Sequence, residues 1–454
     1  MEEYKNIGIH DLDIRFHNEN NSFVNKHQNG LLSINNWTNL TELLDSIFNE
    51  VKKYSDGNVA DYIPQLKNVD ENAFGMVFVS VDGQVFELGD TKKYICAQSC
   101  SKPITYGIAL DLLGEDNVHN FVGREPSGKN FNELCLNNDG IPHNPLINSG
   151  AIMTTSLIKN KESLSERFDF IQKYWKDLCL NHISFNNSIY LSEKDTADRN
   201  YCLGYMMQES GAFSNGKDNN ISKSIKRKWE LGDLQKNLEL YFQLCSIESD
   251  MLGFGLLAAT LANRGVHPWS SKQIFKHNTV RSILSIMNSC GMYDFSGEWN
   301  YKIGIPAKSG VSGIVYAVIP GLGAFVTYSP KLDKIGNSFR GIKFFEKLSE
   351  RLNIHSFNDP LNADYYQLSN NHIKSKKILG FLMLDGAYSN NLGLIKECLA
   401  KGCDINYSDY DKRSALHIAV CENNQEIINF LVNNKINKEI KDRWNKTAFD
   451  YTSN

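Results

Sequence analysis

Two β-hairpin signals, set far apart in the chain, constrain its fold more than any other feature. The stretch AFGMVFVSVDGQVFELGD (73–90) alternates apolar residues around Asp82-Gly83, and an Asp-Gly pair between such runs is a strong signal for a tight hairpin turn. The stretch SGVSGIVYAVIPGLGAFVTYSP (309–330) sets two apolar runs on either side of PGLG. Between the hairpins lies a long helical region, as in LGFGLLAATLANRG (252–265). Strands at both ends and helices between them mean a sheet closed by distant segments. An α+β arrangement follows, with helices packed on an antiparallel sheet.

Ahead of the first hairpin, NWTNLTELLDSIFNEVKKYS (36–55) has helical period. Leu40, Leu43, Leu44, Ile47 and Val51 share one face, and Thr38 or Asn39 is placed to cap it. Residues 1–35 are polar and Asn-rich and read as a variable N-terminal arm. The large domain is expected over 36–355, followed by a linker over 356–375.

The tail, 376–454, has a different pattern. DKRSALHIA (411–419) is followed 33 residues later by WNKTAFDY (444–451), so that Ser414, Ala415 and Leu416 correspond to Thr447, Ala448 and Phe449. That spacing is the ankyrin period, and S-A-L-H-x-A is close to the ankyrin T-P-L-H-x-A core. GLIKECLAKGCDINYSD (393–409) reads as the second helix and finger of a preceding repeat. An all-α array this short is expected to dock on another surface, and it offers a surface to a protein partner.

A length of 454 residues suggests two or three domains, and 41% hydrophobic with 22% charged residues is the balance of a soluble globular chain. A formal net charge of −4 gives no electrostatic case for nucleic acid or an anionic membrane as partner. The basic run SKSIKRKWE (222–230) reads as a solvated face or loop. Ten scattered cysteines without a C-x-x-C pair suit reduced thiols in a cytosol-like compartment. No run of about 18 apolar residues is long enough to span a membrane. The N-terminus is too acidic for a transit peptide and lacks the apolar core of a secretory signal. The expected location is cytoplasmic, with the mitochondrial matrix as the alternative if a targeting segment precedes this sequence.

Chemistry enters at Ser99-Cys100-Ser101-Lys102. At a helix start, residues three apart share a face, so the Ser99 hydroxyl and the Lys102 amine can meet. The amine can act as a base only if burial lowers its pKa toward neutrality. Pro103 is tolerated in a first helical turn, and Ile104, Ile108 and Leu112 point to a buried helix behind it. An S-x-x-K pattern alone is weak. A second element strengthens it: Lys308-Ser309-Gly310 opens the downstream hairpin as K-T-G does in serine β-lactamases and penicillin-binding proteins. A strand edge there can supply a second oxyanion N–H, and Gly310 permits close approach. Together they point to acyl transfer through a serine ester, which needs neither metal nor organic cofactor. No G-x-S-x-G, H-E-x-x-H or G-x-x-x-x-G-K-[ST] pattern is present, and the eleven histidines show no ligand spacing. His143 and His417 read as turn or packing residues.

A wider set of motifs goes further. VADYIPQL (59–66), AQSCSKP (97–103), REPSGKNFN (124–132), PHNPLINSGAI (142–152), ADRNYCLGY (197–205), YFQLCSIE (241–248), SCGMYDFSG (289–297) and PAKSGVSGI (306–314) together resemble the serine-dependent glutaminases. Those proteins have the serine β-lactamase/penicillin-binding-protein-like fold. The resemblance covers about 40–355, and the ankyrin tail matches the animal-type members. It implies hydrolysis of L-glutamine to L-glutamate and ammonia, in a homo-oligomer. Carried over by position, Ser99 is the nucleophile, Lys102 its base, and Tyr293 the group that assists proton transfer to departing ammonia. The backbone N–H groups of Ser99 and Val311 form the oxyanion hole. Tyr62, Asn148, Glu193, Asn200 and Tyr241 hold the substrate.

These implied roles make chemical sense. Glu193 suits the α-ammonium, Asn200 and Tyr241 offer neutral donors to the α-carboxylate, and Asn148 and Tyr62 could grip the amide or orient the α-groups. Without the resemblance, the same residues read as a helix cap, core tyrosines and a turn asparagine. The sequence departs from the family at two places. Members activated by phosphate carry a lysine and a phenylalanine where this chain has Glu133 and Cys135, which puts activation by inorganic phosphate in question. Met206 replaces a tyrosine on the helix that pairs subunits. Two alternatives stay open here: a serine amidase of the same fold acting on another amide or a β-lactam, and an inactive scaffold that works through its ankyrin repeats.

Overall fold

The computed structural model describes residues 32–34, 36–130, 132–212, 231–357, 370–400 and 403–451. The chain divides into two compact units, Met1–Phe357 and Asn358–Asn454. The basic run 222–230 and most of the arm and linker expected from the sequence lie outside the described residues.

In the first unit both hairpins enter one antiparallel sheet. β1 (Gly75–Ser80) pairs with β2 (Val85–Gly89) across a turn whose Gly83 has φ 84°, a left-handed conformation that glycine adopts without strain. β7 (Ile314–Ile319) pairs with β8 (Gly323–Tyr328). β1 then pairs with β8, and β6 (Ala307–Ser309) joins β7, giving the order β2-β1-β8-β7-β6. Phe78 stands opposite both Phe86 and Phe325, an aromatic row that fixes the register across the junction of the two hairpins. A second, small sheet joins β3 (Ile95–Cys96), β5 (Ile247–Ser249) and β4 (Ile183–Phe185), in that order.

Every residue of β1, β7 and β8 is buried, because helices cover both faces of the large sheet. One face meets the central helix Met251–Ala262, all of whose residues are buried. It approaches so closely that a Cβ on Gly255 would lie 2.7 Å from Val79 Cγ2 and 3.1 Å from Val77 Cγ1. Asp250 caps it by accepting from the Gly253 amide at 2.8 Å. On its far side Phe254 meets Trp175 edge-on, joining the helical region to the core.

The opposite face of the sheet is covered by helices Trp37–Val51 and Phe339–Leu352, pinned together by an Arg351–Glu50 ion pair. Trp37 packs on Phe78, and Phe48 stacks on Phe74 with ring centroids 4.4 Å apart. The first helix starts earlier than its sequence suggests. Asn36, and not Thr38 or Asn39, is the cap, its side chain accepting from the Asn39 amide. Trp37, half-buried, thereby falls inside the first turn, where its ring packs on Phe78. Leu40, Leu44, Ile47 and Val51 are buried as expected, but Phe48 completes that face while Leu43 is only half-buried at its edge.

The second unit is helical. Helices Asn370–Tyr388 and Leu392–Ala400 pair, as do Ala415–Cys421 and Gln425–Asn433. Ser414 caps the third helix through the imidazole of His417, whose Nδ1 lies 2.9 Å from Ser414 Oγ. The other ring nitrogen of His417 bonds Lys446 O at 3.2 Å, so one histidine ties a helix start to the next finger. Leu416, Ala419, Ile427 and Leu431 form the core between the repeats. Among the described residues no helix is long and apolar enough to cross a membrane.

Candidate active site

The chain leaves β3 into a 3₁₀ turn, Gln98–Ser101, which runs directly into the helix Lys102–Leu113; Lys102 to Leu110 are buried, Ile104 and Ile108 among them, but Leu112, expected on the same apolar face, lies in the exposed last turn. In a 3₁₀ turn residues three apart eclipse one another, which suits S-x-x-K better than a regular α-turn does. Gln98, just before the serine, has φ 46°, the left-handed region in which a residue with a Cβ is strained. Two bonds hold it there: Ser101 Oγ donates to Gln98 O at 2.7 Å, and Gln98 Nε2 donates to Glu193 Oε1 at 2.8 Å. Ser101 is thereby committed to structure, which separates it from Ser99 as a candidate nucleophile.

Lys102 is 1% exposed. Its Nζ donates to Asn148 Oδ1 at 2.7 Å. Burial first, and the positive Lys308 second, push its pKa down to about 7. Lys308, on β6, is also buried, and burial lowers it to about 8. Its Nζ donates to Ser309 O at 2.6 Å and to Gly291 O at 3.1 Å, and sits 4.6 Å from the centroid of the Tyr293 ring. Lys308 therefore clamps the turn that carries Tyr293, a residue at φ 55°. The Tyr293 hydroxyl interacts with the Ser99 side chain and the Val311 backbone, and burial holds its pKa well above the usual value. Gly310 lets this strand edge close on the serine turn: a Cβ there would stand 3.1 Å from Cys100 Sγ and 3.2 Å from Ala97 O.

The remaining residues form two polar groups beside the serine. Glu193 is 8% exposed, and its Oε1 accepts from Tyr62 OH at 2.7 Å as well as from Gln98. Burial raises the Glu193 carboxyl above its ordinary range, and the two hydrogen bonds oppose that rise. Tyr62 is 45% exposed as a whole residue, yet its hydroxyl reaches inward to the carboxylate. In the second group Asn148 Nδ2 donates to Asn200 Oδ1 at 3.0 Å, and Tyr241 OH donates to Asn148 Oδ1 at 3.4 Å.

The PHNP loop explains how Asn148 is presented. Asn144 Oδ1 accepts from the Leu146 and Ile147 amides at 3.0 and 3.2 Å, turning the chain so that Asn148 opens the helix Asn148–Leu157. The Asn144 carbonyl passes so near that a Cβ on Gly150 would lie 1.8 Å from it, so the position accepts only glycine. A cavity of about 200 Å³ opens beside Tyr293, with Ser127, Lys129, Asn144, Cys290 and Ser296 among its walls. Among the described residues no three His, Cys, Asp or Glu side chains gather as a metal site.

The structure thus brings Ser99, Lys102, Tyr293 and Val311 together, with Tyr62 on Glu193 and with Tyr241 and Asn200 on Asn148. Asn148 is bonded to Lys102 itself. Gln98 is not singled out by the sequence, because its part depends on the sign of a φ angle that the sequence does not display.

A profile of the Glutaminase family matches residues 57–357, and one for ankyrin repeats in three copies matches residues 382–452. The chain belongs to the glutaminase family. Its first unit has the β-lactamase-like fold of the solved glutaminases. A structure described as a probable glutaminase, ybaS, superposes with a TM-score of 0.65 at 30% identity, covering 71% of this chain and 99% of its own. The native form of Mglu gives 0.64 at 31% identity, covering 70% of this chain and 73% of its own. The mitochondrial liver isoform of rat (Rattus norvegicus) is 40% identical over 413 residues, which are 90% of this chain and 66% of the rat protein. A glutaminase of Nostoc is 39% identical over 319 residues, 70% of this chain and 90% of its own length. The chain thus spans about two thirds of the rat relative.

Proposed function

We propose that the chain hydrolyses L-glutamine to L-glutamate and ammonia through a covalent ester on Ser99. The observation that carries this reading is Lys102: a lysine three residues after the serine, buried, hydrogen-bonded at 2.7 Å and brought to a pKa of about 7. Such an amine is neutral often enough at physiological pH to take a proton. As Ser99 Oγ attacks the side-chain amide carbon, its proton passes to Lys102 Nζ. The oxyanion that forms faces the backbone N–H groups of Ser99 and Val311. The carbon–nitrogen bond then breaks, and the nitrogen leaves as ammonia with a proton relayed by way of the Tyr293 hydroxyl. Water attacks the ester by the reverse route, releasing glutamate and restoring Ser99.

Substrate choice follows from charge. Glu193 is a buried carboxylate whose Oε1 already holds two donors, so Oε2 remains for the α-ammonium. Asn200 supplies a donor for the α-carboxylate, and the Tyr241 O–H, which donates to Asn148 Oδ1 at 3.4 Å without substrate, reaches that carboxylate only by turning away from Asn148. A β-lactam has no α-ammonium for Glu193 to meet, so the pocket's chemistry favours an amino acid amide. With this activity we group a homo-oligomeric, cytoplasmic enzyme with no cofactor requirement, whose activation by inorganic phosphate Glu133 and Cys135 put in question. The reading is tested by ammonia and glutamate release from glutamine, with and without phosphate, in the wild-type chain and in Ser99→Ala. Turnover that survives Ser99→Ala would remove the serine from the mechanism.

A further inference from the structure

Matching donors to acceptors around Lys102 fixes more than its separate contacts state. A protonated lysine head offers only donors, so the Asn148 carboxamide must turn Oδ1 toward it, as it does at 2.7 Å. That choice points Asn148 Nδ2 at Asn200. An N–H₂ group can be met only by an acceptor, so Asn200 must answer with Oδ1, and its own N–H₂ end points away from Asn148. Tyr241 adds a second donor to the same Asn148 oxygen and reinforces that polarity. The orientation of both amides is thus dictated by Lys102 and holds whichever way either carboxamide is first drawn.

We propose that Asn148 is a positioning residue that makes one hydrogen-bonded chain of the base and the site's charge selectivity. Through it Lys102 determines that Asn200 shows a donor to the substrate's α-carboxylate. In return Asn148 claims one N–H of the neutral amine, which confines the lone pair to the remaining positions, among them the one facing Ser99. The inference rests on the glutaminase reading above and gives Asn148 a task other than gripping the substrate amide. The titratable groups facing Lys102 are Lys308 from β6, Cys100 from the serine turn and Cys245 from the helix Leu231–Cys245, with the hydroxyls of Tyr241 and Tyr293 nearby. Burial pushes Cys100 and Cys245 up to about 12, so both thiols are protonated near neutrality and Lys308 is the neighbouring charge that bears on the base.

The test is Asn148→Asp in the full chain, assayed on glutamine and on glutamine α-amide, in which a carboxamide replaces the α-carboxylate. The substituted carboxylate offers acceptors only. Asn200 must then turn its N–H₂ toward that carboxylate and show its oxygen to the substrate. The ratio of kcat/KM for the α-amide to that for glutamine should rise by about 10-fold or more, since a buried donor–acceptor mismatch is exchanged between the two substrates. The acid limb of the pH profile should move to higher pH, because a carboxylate beside Lys102 favours the ammonium form. Asn148→Ala serves if Asn148→Asp does not fold: it frees the Asn200 amide to turn either way, so the ratio should rise without the upward move of the limb. Equal loss on both substrates, with the limb unmoved in Asn148→Asp, would overturn the proposal. A wild-type chain that releases no ammonia from glutamine would instead overturn the reading beneath it.

Discussion

Replacing Glu193 by glutamine tests the pocket with the least change in shape. In the native site Tyr62 OH and Gln98 Nε2 both donate to Glu193 Oε1, at 2.7 and 2.8 Å. These two donors persist in Glu193→Gln and must still find an oxygen, so the new amide is forced to present its N–H₂ to the ligand. An ammonium then meets a donor where it had met a carboxylate. The change removes a charge-assisted hydrogen bond worth about 1.5–3 kcal/mol and adds the cost of a buried mismatch of about 1–3 kcal/mol. At about 1.4 kcal/mol for each factor of ten, KM for glutamine should rise by at least about 60-fold, and by up to about 20,000-fold if both costs are at their upper ends. Because the ammonium is bound alike in ground and transition states, kcat should change far less. Initial rates of ammonia release over a wide glutamine range measure both constants. An unchanged KM, or a loss confined to kcat, would refute the assignment of Glu193 to the ammonium. The same variant has a second readout. The folded pKa of Glu193 is raised by burial, so its contribution to stability is fully present below the unfolded value of about 4.3 and is lost as pH rises through the folded value. Glu193→Gln should therefore melt higher than the wild type at neutral pH, with the difference closing below about pH 4.

The remaining expectations concern the base and the backbone. Ser99→Ala should lower kcat by at least about a thousand-fold while circular dichroism and Tm stay near wild type, since the change removes a single oxygen and leaves the turn's backbone bonds intact. The acid limb of kcat/KM should lie near the Lys102 pKa of about 7, activity rising as the amine loses its proton. Lys308→Met removes the positive charge that helps lower that pKa, so the limb should move to higher pH; a limb that stays in place would show the charge to be screened. Gly150→Ala forces a Cβ to within 1.8 Å of the Asn144 carbonyl. It should cost on the order of 2 kcal/mol or more in urea unfolding and weaken turnover through displaced Asn148. A stable, fully active Gly150→Ala chain would show that the PHNP loop can yield.

How far the sequence disclosed this arrangement depends on which physical signal each part left in it. The sheet was legible because its strands are apolar runs around glycine turns, and because two hairpins so far apart can meet only in a common sheet. The ankyrin unit was legible because a repeat states itself twice: Ser414 and Thr447 occupy matching places, and His417 binds both its own helix start and the next finger. Helix ends were harder to place, since Asn36 caps one residue ahead of a tryptophan that packs on Phe78 of the sheet, and nothing local in the sequence announces that contact. Of the site residues, Ser99, Lys102 and Lys308 sit in short patterns with a mechanical reason. Glu193 and Asn200, by contrast, are ordinary helix residues whose meaning arises only from what lies across the pocket. Gln98 left no sequence signal at all, for its role is a backbone strain at φ 46° that two hydrogen bonds maintain. Lys308 shows a further limit. Its motif suggested a strand edge for an oxyanion, yet its buried amine bonds Gly291 and Ser309 and lies under the Tyr293 ring. A second buried cation so close to Lys102 is costly unless it does something. Here burial first and the Lys308 charge second lower the Lys102 pKa to about 7, the value the proposed role of Lys102 requires, and Lys308 also fixes the tyrosine turn.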